Sequence, residues 1–266
     1  MPAYAAAATV LDRLIELDGS EVLKWACPVP YFGCLETARA ATVGINPSPR
    51  EFVDEDGCEL QGAKRRLPTL RSLGLRDWYE ADWGHLRAIL ASCDAYFEQR
   101  PYDRWFRVLD ALLAPLGASY YGASASACHV DLVPYATAAK WGALSPEQQR
   151  RLLAAGRSAA GMFVRDSAIE VLVLNGQSVV REFELVSGAR LRSAVVPGWA
   201  LPRSGPRHVP GVAYWGVTDR IGEVDLGRSV RVVGYNHNLQ SSFGVTASVQ
   251  QRIGDWVATT AAGTRW

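Results

Sequence analysis

Four short apolar runs punctuate the chain: Ala40 to Val43, Ala127 to Val133, Ile169 to Leu174 and Val230 to Gly234. Short apolar runs bounded by Gly, Pro or Asn read as buried strands. Longer stretches with helical spacing lie around them: Thr9 to Asp18, Leu86 to Phe97, Arg104 to Leu113, Pro146 to about Arg165, Val179 to Val186 and Val245 to Ala258. Ser145 is an N-cap candidate and Pro146 suits a first helical position. Strands alternating with helices predict an α/β fold. We expect a single three-layer α/β/α domain over residues 1–266, built on a central, mostly parallel four-stranded sheet. Two further extended segments, Leu191 to Val196 and Val212 to Val217, flank a Pro/Gly-rich loop.

Composition narrows the functional classes. Hydrophobic residues make up 48% and charged residues 21%, enough for a large core. A net charge of +1 supplies no global basic field, so nucleic-acid contact must come from local clusters. No run approaches a membrane span, and the stretch from Met1 to Ala8 lacks the positive leader of an export signal. The cysteines, Cys27, Cys34, Cys58, Cys93 and Cys128, are scattered and odd in number, unlike a disulfide framework, a zinc site or an iron–sulfur site. The expectation is a cytoplasmic monomer without metal or membrane partner.

Function is concentrated at two strand ends. After the first run comes Gly44-Ile45-Asn46-Pro47-Ser48-Pro49. Pro47 and Pro49 deny Asn46 and Ser48 an easy helical backbone, so the Asn46 amide sits on a rigid turn. After the last run comes Tyr235-Asn236-His237-Asn238-Leu239-Gln240. In open α/β sheets, ligands bind at the carboxyl ends of strands. An amide that fixes a water and an imidazole that donates to a developing oxyanion suit the cleavage of a sugar–nucleobase bond. The plainer alternatives are an Asn46 that caps its own turn and a His237 exposed on a loop.

The run Val43-Gly44-Ile45-Asn46-Pro47-Ser48 resembles the first motif of the uracil-DNA glycosylase superfamily, in its mismatch-specific and single-strand-selective branches. His237-Asn238-Leu239-Gln240-Ser241-Ser242 sits where that family has its second motif. The resemblance implies a monofunctional glycosylase acting on uracil-containing DNA without a cofactor. Asn46 would orient the attacking water and His237 would stabilise the departing uracil anion, with Gly44, Ile45, Pro47, Ser48 and Asn238 shaping the pocket. Ser48 replaces a glycine or tyrosine of the family, and Asn238 and Gln240 replace prolines. If the second loop is displaced, Asn236 or Asn238 takes the place of His237. Asp131, near the end of the second strand, is the nearest match to the family's base-reading Asn. An ionised carboxylate only accepts, so Asp131 would read uracil N3–H while Tyr135 or a main-chain amide completes the site. The alternative is an Asp capping the next turn. His129 reads as a core histidine.

A flipped pyrimidine needs a stacking face, for which Phe52 is the candidate, and otherwise Phe52 is core. Lys64, Arg65, Arg66, Arg71 and Arg76 form the densest basic cluster. Arg65 and Arg66, with Arg203 and Arg207 in the Pro197 to Pro210 loop, are candidate phosphate contacts, or simply a solvated face and a connector. Leu239 or Phe243 would fill the gap left by an extruded base, with Gln240 and Ser241 beside it. A catalytically weak binder of uracil- or abasic-site-containing DNA is the second reading. A small-molecule hydrolase lacks its Gly-x-Ser-x-Gly elbow.

Overall fold

The computed structural model describes residues 2–122, 125–203 and 208–263. Its elements in chain order are α1 (Pro2–Glu16), β1 (Ala40–Gly44), α2 (Leu70–Leu73), α3 (Trp83–Asp94), α4 (Asp103–Leu113), β2 (Ala127–Asp131), α5 (Pro146–Gly156), α6 (Ala159–Arg165), β3 (Val171–Asn175), α7 (Gln177–Ser187), β4 (Arg192–Val195), β5 (Leu201–Pro202), β6 (His208–Val209), β7 (Val212–Ile221), β8 (Val224–Tyr235) and α8 (Ala247–Ala261).

The sheet is six-stranded, not four-stranded, in the order β2-β1-β3-β8-β7-β4. The four apolar runs do form the parallel part, with Ala40 opposite Ala127 and Val171, and Val171 opposite Arg231. Strands β1, β2 and β3 are buried almost throughout, which is why they read as largely apolar runs, with Thr42, His129 and Asp131 among the buried polar exceptions. The additional strands β7 and β4 extend this sheet antiparallel from β8. A tight turn at Gly222, where φ is +61°, joins β7 to β8, so the earlier extended segment and the last apolar run become one hairpin. The exposed β4 forms the edge of the sheet beside the partly buried β7.

Helices α6, α7 and α8 pack on β8, while α1 meets α3, α5 and α6, and α4 meets α8. Ser145 caps α5 in a capping box with Gln148, as the sequence indicates. The helix expected from Pro146 to Arg165 is broken in two. At the break, Gly156 packs against the main chain at Leu132 and Val133, and the Gly222 turn abuts Arg157. No helix among the described residues is long and apolar enough to cross a membrane.

Candidate functional site

The carboxyl ends of the four parallel strands open into a cleft of about 860 Å³. Gly44, Asp131 and Asn175 line it from the last residues of β1, β2 and β3, and Asn236 and Asn238 from the turn after β8. The first turns of α4 and α7 close the sides, through Arg104 and Trp105 on one and Gln177 and Ser178 on the other. This is the position that an open parallel sheet offers to a ligand.

Asn46 lies on the turn after β1 and faces this cleft. Its Nδ2 donates to Thr137 Oγ1 at 3.0 Å, to Pro47 O at 3.2 Å and to Tyr135 O at 3.4 Å. Carbonyls only accept, so these partners fix which end of the amide is nitrogen. Thr137 in turn donates to Ala139 O at 2.7 Å, so its oxygen is free to accept from Asn46. The amide oxygen, Oδ1, has no protein partner among the described residues and is left to the cleft. The alternative in which Asn46 caps its own turn through Oδ1 is not what forms. Ser48 does cap: its hydroxyl accepts from Arg50 N at 3.2 Å and starts the single turn Pro49–Glu51. Ile45 and Pro47 also line the cleft.

Asp131 forms the floor. It is buried, with His129 Nε2 at 3.3 Å from Oδ1. His129 Nδ1 lies 2.6 Å from Thr42 Oγ1, which lies 2.5 Å from the Tyr120 hydroxyl. One proton arrangement satisfies this chain. Tyr120, kept protonated by its burial, donates to Thr42, Thr42 donates to Nδ1, and Nε2–H donates to the Asp131 carboxylate. His129 is therefore a buried supporting residue, as expected, and it aims Asp131 at the cleft. Tyr135 completes no base-reading site: its ring is buried and its hydroxyl donates to Val10 O at 2.9 Å.

Glu51 is the buried carboxyl of the cleft that sequence reasoning missed. It is 3% exposed yet lines the cleft, at the end of the turn that begins after Asn46. Tyr96 donates its hydroxyl to Oε2 at 2.5 Å. Burial pushes the carboxyl up to about 7; Tyr96 and Arg66 oppose that rise, and Asp131 adds to it. Within a charged, irregular stretch, Glu51 carries no local signal of burial. Its distance of one short turn from Asn46 was the only clue.

His237 does not enter the cleft. Its Nε2–H donates to Trp199 O at 2.7 Å, the residue is 3% exposed, and burial lowers its pKa against the opposing pull of the Trp199 hydrogen bond. The reason is strand alternation continuing past β8: Asn236 and Asn238 face the cleft and the residue between them faces away. Neither neighbour simply substitutes for it. Asn236 accepts from Val212 N and donates to Pro210 O, and Asn238 Oδ1 caps the main-chain N–H groups of Gln240 and Ser241.

Phe52 is likewise displaced. It is 1% exposed and packs edge-on to Trp25 in the core, because the turn that presents Glu51 to the cleft points the next residue inward. The aromatic surfaces of the cleft are Tyr102 and Trp105 at the start of α4, Phe32 and Phe106 deeper in, and Trp141 opposite.

The expected DNA contacts divide. Leu239 lines the cleft but is 6% exposed, and Gln240 is engaged, accepting from Asn175 Nδ2 at 2.8 Å and donating to Trp105 O at 3.3 Å. These two hold the turn after β8 to β3 and α4 and are not free to meet a ligand backbone. Ser241 is exposed on the rim, and the nearby Phe243 is 80% exposed. Arg65 and Arg66 border a separate hollow of about 510 Å³. Arg66 is a clamp, donating to Arg50 O and Arg100 O and stacking on Tyr102. Arg203 is exposed beyond β5, next to Pro202, which packs on Gly244. Arg207 lies outside the described residues. The exposed cations lining the cleft are instead Arg104 and Lys140, neither tied to a carboxylate among the described residues, while the half-buried Arg50 donates to Asp54 O.

No protein-family model matches the chain, and no curated protein matches it either.

Proposed function

We propose that the chain is a monofunctional DNA glycosylase, a cytoplasmic monomer that hydrolyses the N-glycosidic bond of uracil in DNA and leaves an abasic site. The fixed polarity of the Asn46 amide carries this reading. With Nδ2 held by Thr137, Pro47 and Tyr135, Oδ1 accepts a hydrogen from water and sets the direction of its attack on C1′. The motif around Asn46 and its position at a strand end lend support, as does the parallel order β2-β1-β3-β8. An extruded base would stack among Tyr102, Trp105 and Trp141 and present N3–H to Asp131, while Arg104 and Lys140 at the mouth meet phosphates. Phe243, not Leu239, would occupy the space left in the stack. With His237 withdrawn, the amino end of α7 offers the favourable potential for a departing anion.

Uracil-containing oligonucleotides incubated with the protein and then treated with alkali test this directly. Strand scission by the wild type is expected, and Asn46→Ala is expected to abolish most turnover while retaining the complex. Scission by Asn46→Ala at the wild-type rate would remove the amide from the mechanism.

The withdrawal of His237 specifically favours a second reading, a catalytically weak binder of uracil- or abasic-site-containing DNA. A retained complex without base release by the wild type selects it.

A further inference from the structure

An amide can aim a water but cannot take its proton, so hydrolysis at Asn46 leaves a proton without a destination. We propose that Glu51 is the general base that receives it, an assignment that rests on the glycosylase reading. Both residues sit on one rigid segment: Pro47, Pro49 and the Ser48 cap fix the chain between them, and Glu51 N donates to Ser48 O at 3.0 Å. Both line the same cleft.

The hydrogen-bond directions give Glu51 its role. Tyr96 accepts at its oxygen from Tyr102 N at 2.9 Å, so its own proton points to Glu51 Oε2. Glu51 is thus an acceptor at Oε2, and Oε1 has no protein partner among the described residues. Water attacking C1′ forms the new C–O bond and passes one proton to Oε1. The bond from C1′ to the uracil nitrogen breaks, and its electron pair leaves with the base as an anion. Glu51 then releases the proton to solvent. The groups that bear on its titration are Tyr96 and Arg66, which favour the carboxylate, and Asp131, which disfavours it. Burial leaves the group titrating at about 7, where a base for work at neutral pH is most effective.

Single-turnover uracil release, measured from about pH 5 to about pH 9, tests the assignment across the range where general bases titrate. The wild-type rate is expected to rise through about pH 7 and level off. Glu51→Gln keeps an acceptor for Tyr96 and is expected to lose about 10²-fold or more in rate, together with the rise, while oligonucleotide affinity holds. Tyr96→Phe removes the donor that favours the carboxylate and is expected to move the rise to higher pH; it serves where Glu51→Gln fails to fold. A wild-type profile in Glu51→Gln, an unmoved rise in Tyr96→Phe, or a wild-type rate that falls through this range overturns the role while leaving the glycosylase reading intact. A wild type that releases no uracil at any pH overturns both together, and the wild-type lane alone identifies that case.

Discussion

Gly44 and Asp131 stand opposite each other in the register of β1 and β2, and no side chain fits between them. A Cβ on Gly44 would overlap Asp131 Oδ1 and crowd His129 Nε2. The glycine is needed for close approach. Its replacement displaces the floor of the cleft, because both neighbours are buried and hydrogen-bonded.

Gly44→Ala is therefore expected to cost about 1–3 kcal/mol, the usual range for overpacking a tight interior. Thermal denaturation followed by circular dichroism reads this as a drop of several degrees. A variant that melts with the wild type would mean that Asp131 moves aside freely.

His237 holds the turn after β8 to the Trp199 carbonyl. His237→Ala leaves that buried acceptor without its partner and is expected to lower stability by about 1–3 kcal/mol. Under the proposed glycosylase function, base release per folded molecule is expected to stay unchanged. The pH dependence has a definite sign: burial lowers the folded pKa below its ordinary 6.5, so the unfolded chain binds the extra proton. The contribution of His237 to stability is fully present above that ordinary value and declines as pH falls below it. Slow base release by a fully folded His237→Ala would return the imidazole to the chemistry.

Glu51 acts on stability in the opposite direction. Its folded pKa is raised from 4.5 to about 7, so the folded state holds the proton more tightly than the unfolded chain does. The contribution is whole below pH 4.5 and is lost as pH rises through about 7, a swing of about 3 kcal/mol. Glu51→Gln is expected to be the more stable protein at alkaline pH, with its advantage shrinking on acidification. Chemical denaturation at two pH values measures this, and an advantage independent of pH contradicts it.

Arg104 and Lys140 flank the mouth of the cleft. Replacing either with alanine is expected to weaken binding to single-stranded uracil-containing oligonucleotides and to reduce the salt slope by about 0.7 per lost phosphate contact. Arg66→Ala is expected to act first on stability, because its guanidinium is spent on the carbonyls of Arg50 and Arg100. Fluorescence anisotropy across a salt series separates the two behaviours.

The four parallel strands were legible because strands buried on both faces are apolar along their length, a purely local property. The Ser145 cap and the rigid turn at Asn46 were legible for the same reason. The places of β7 and β4 were not legible, since β7 joins the sheet only through the hairpin at Gly222 and β4 then forms the edge beside it.

Which side chains reach the cleft was decided by the tertiary structure. The sequence put Asn46, Asp131 and the segment from Asn236 to Gln240 at strand ends, and there they stand. It also named His237, which alternation turns away, and Phe52, and passed over Glu51, although the single turn that brings Glu51 in is what sends Phe52 to the core. Strand ends follow from local composition, whereas the direction of each side chain follows from backbone rotation one residue at a time. A carboxyl group of ordinary sequence context becomes a group titrating near neutrality only after the Tyr96 and Asp131 neighbourhoods close around it and exclude water.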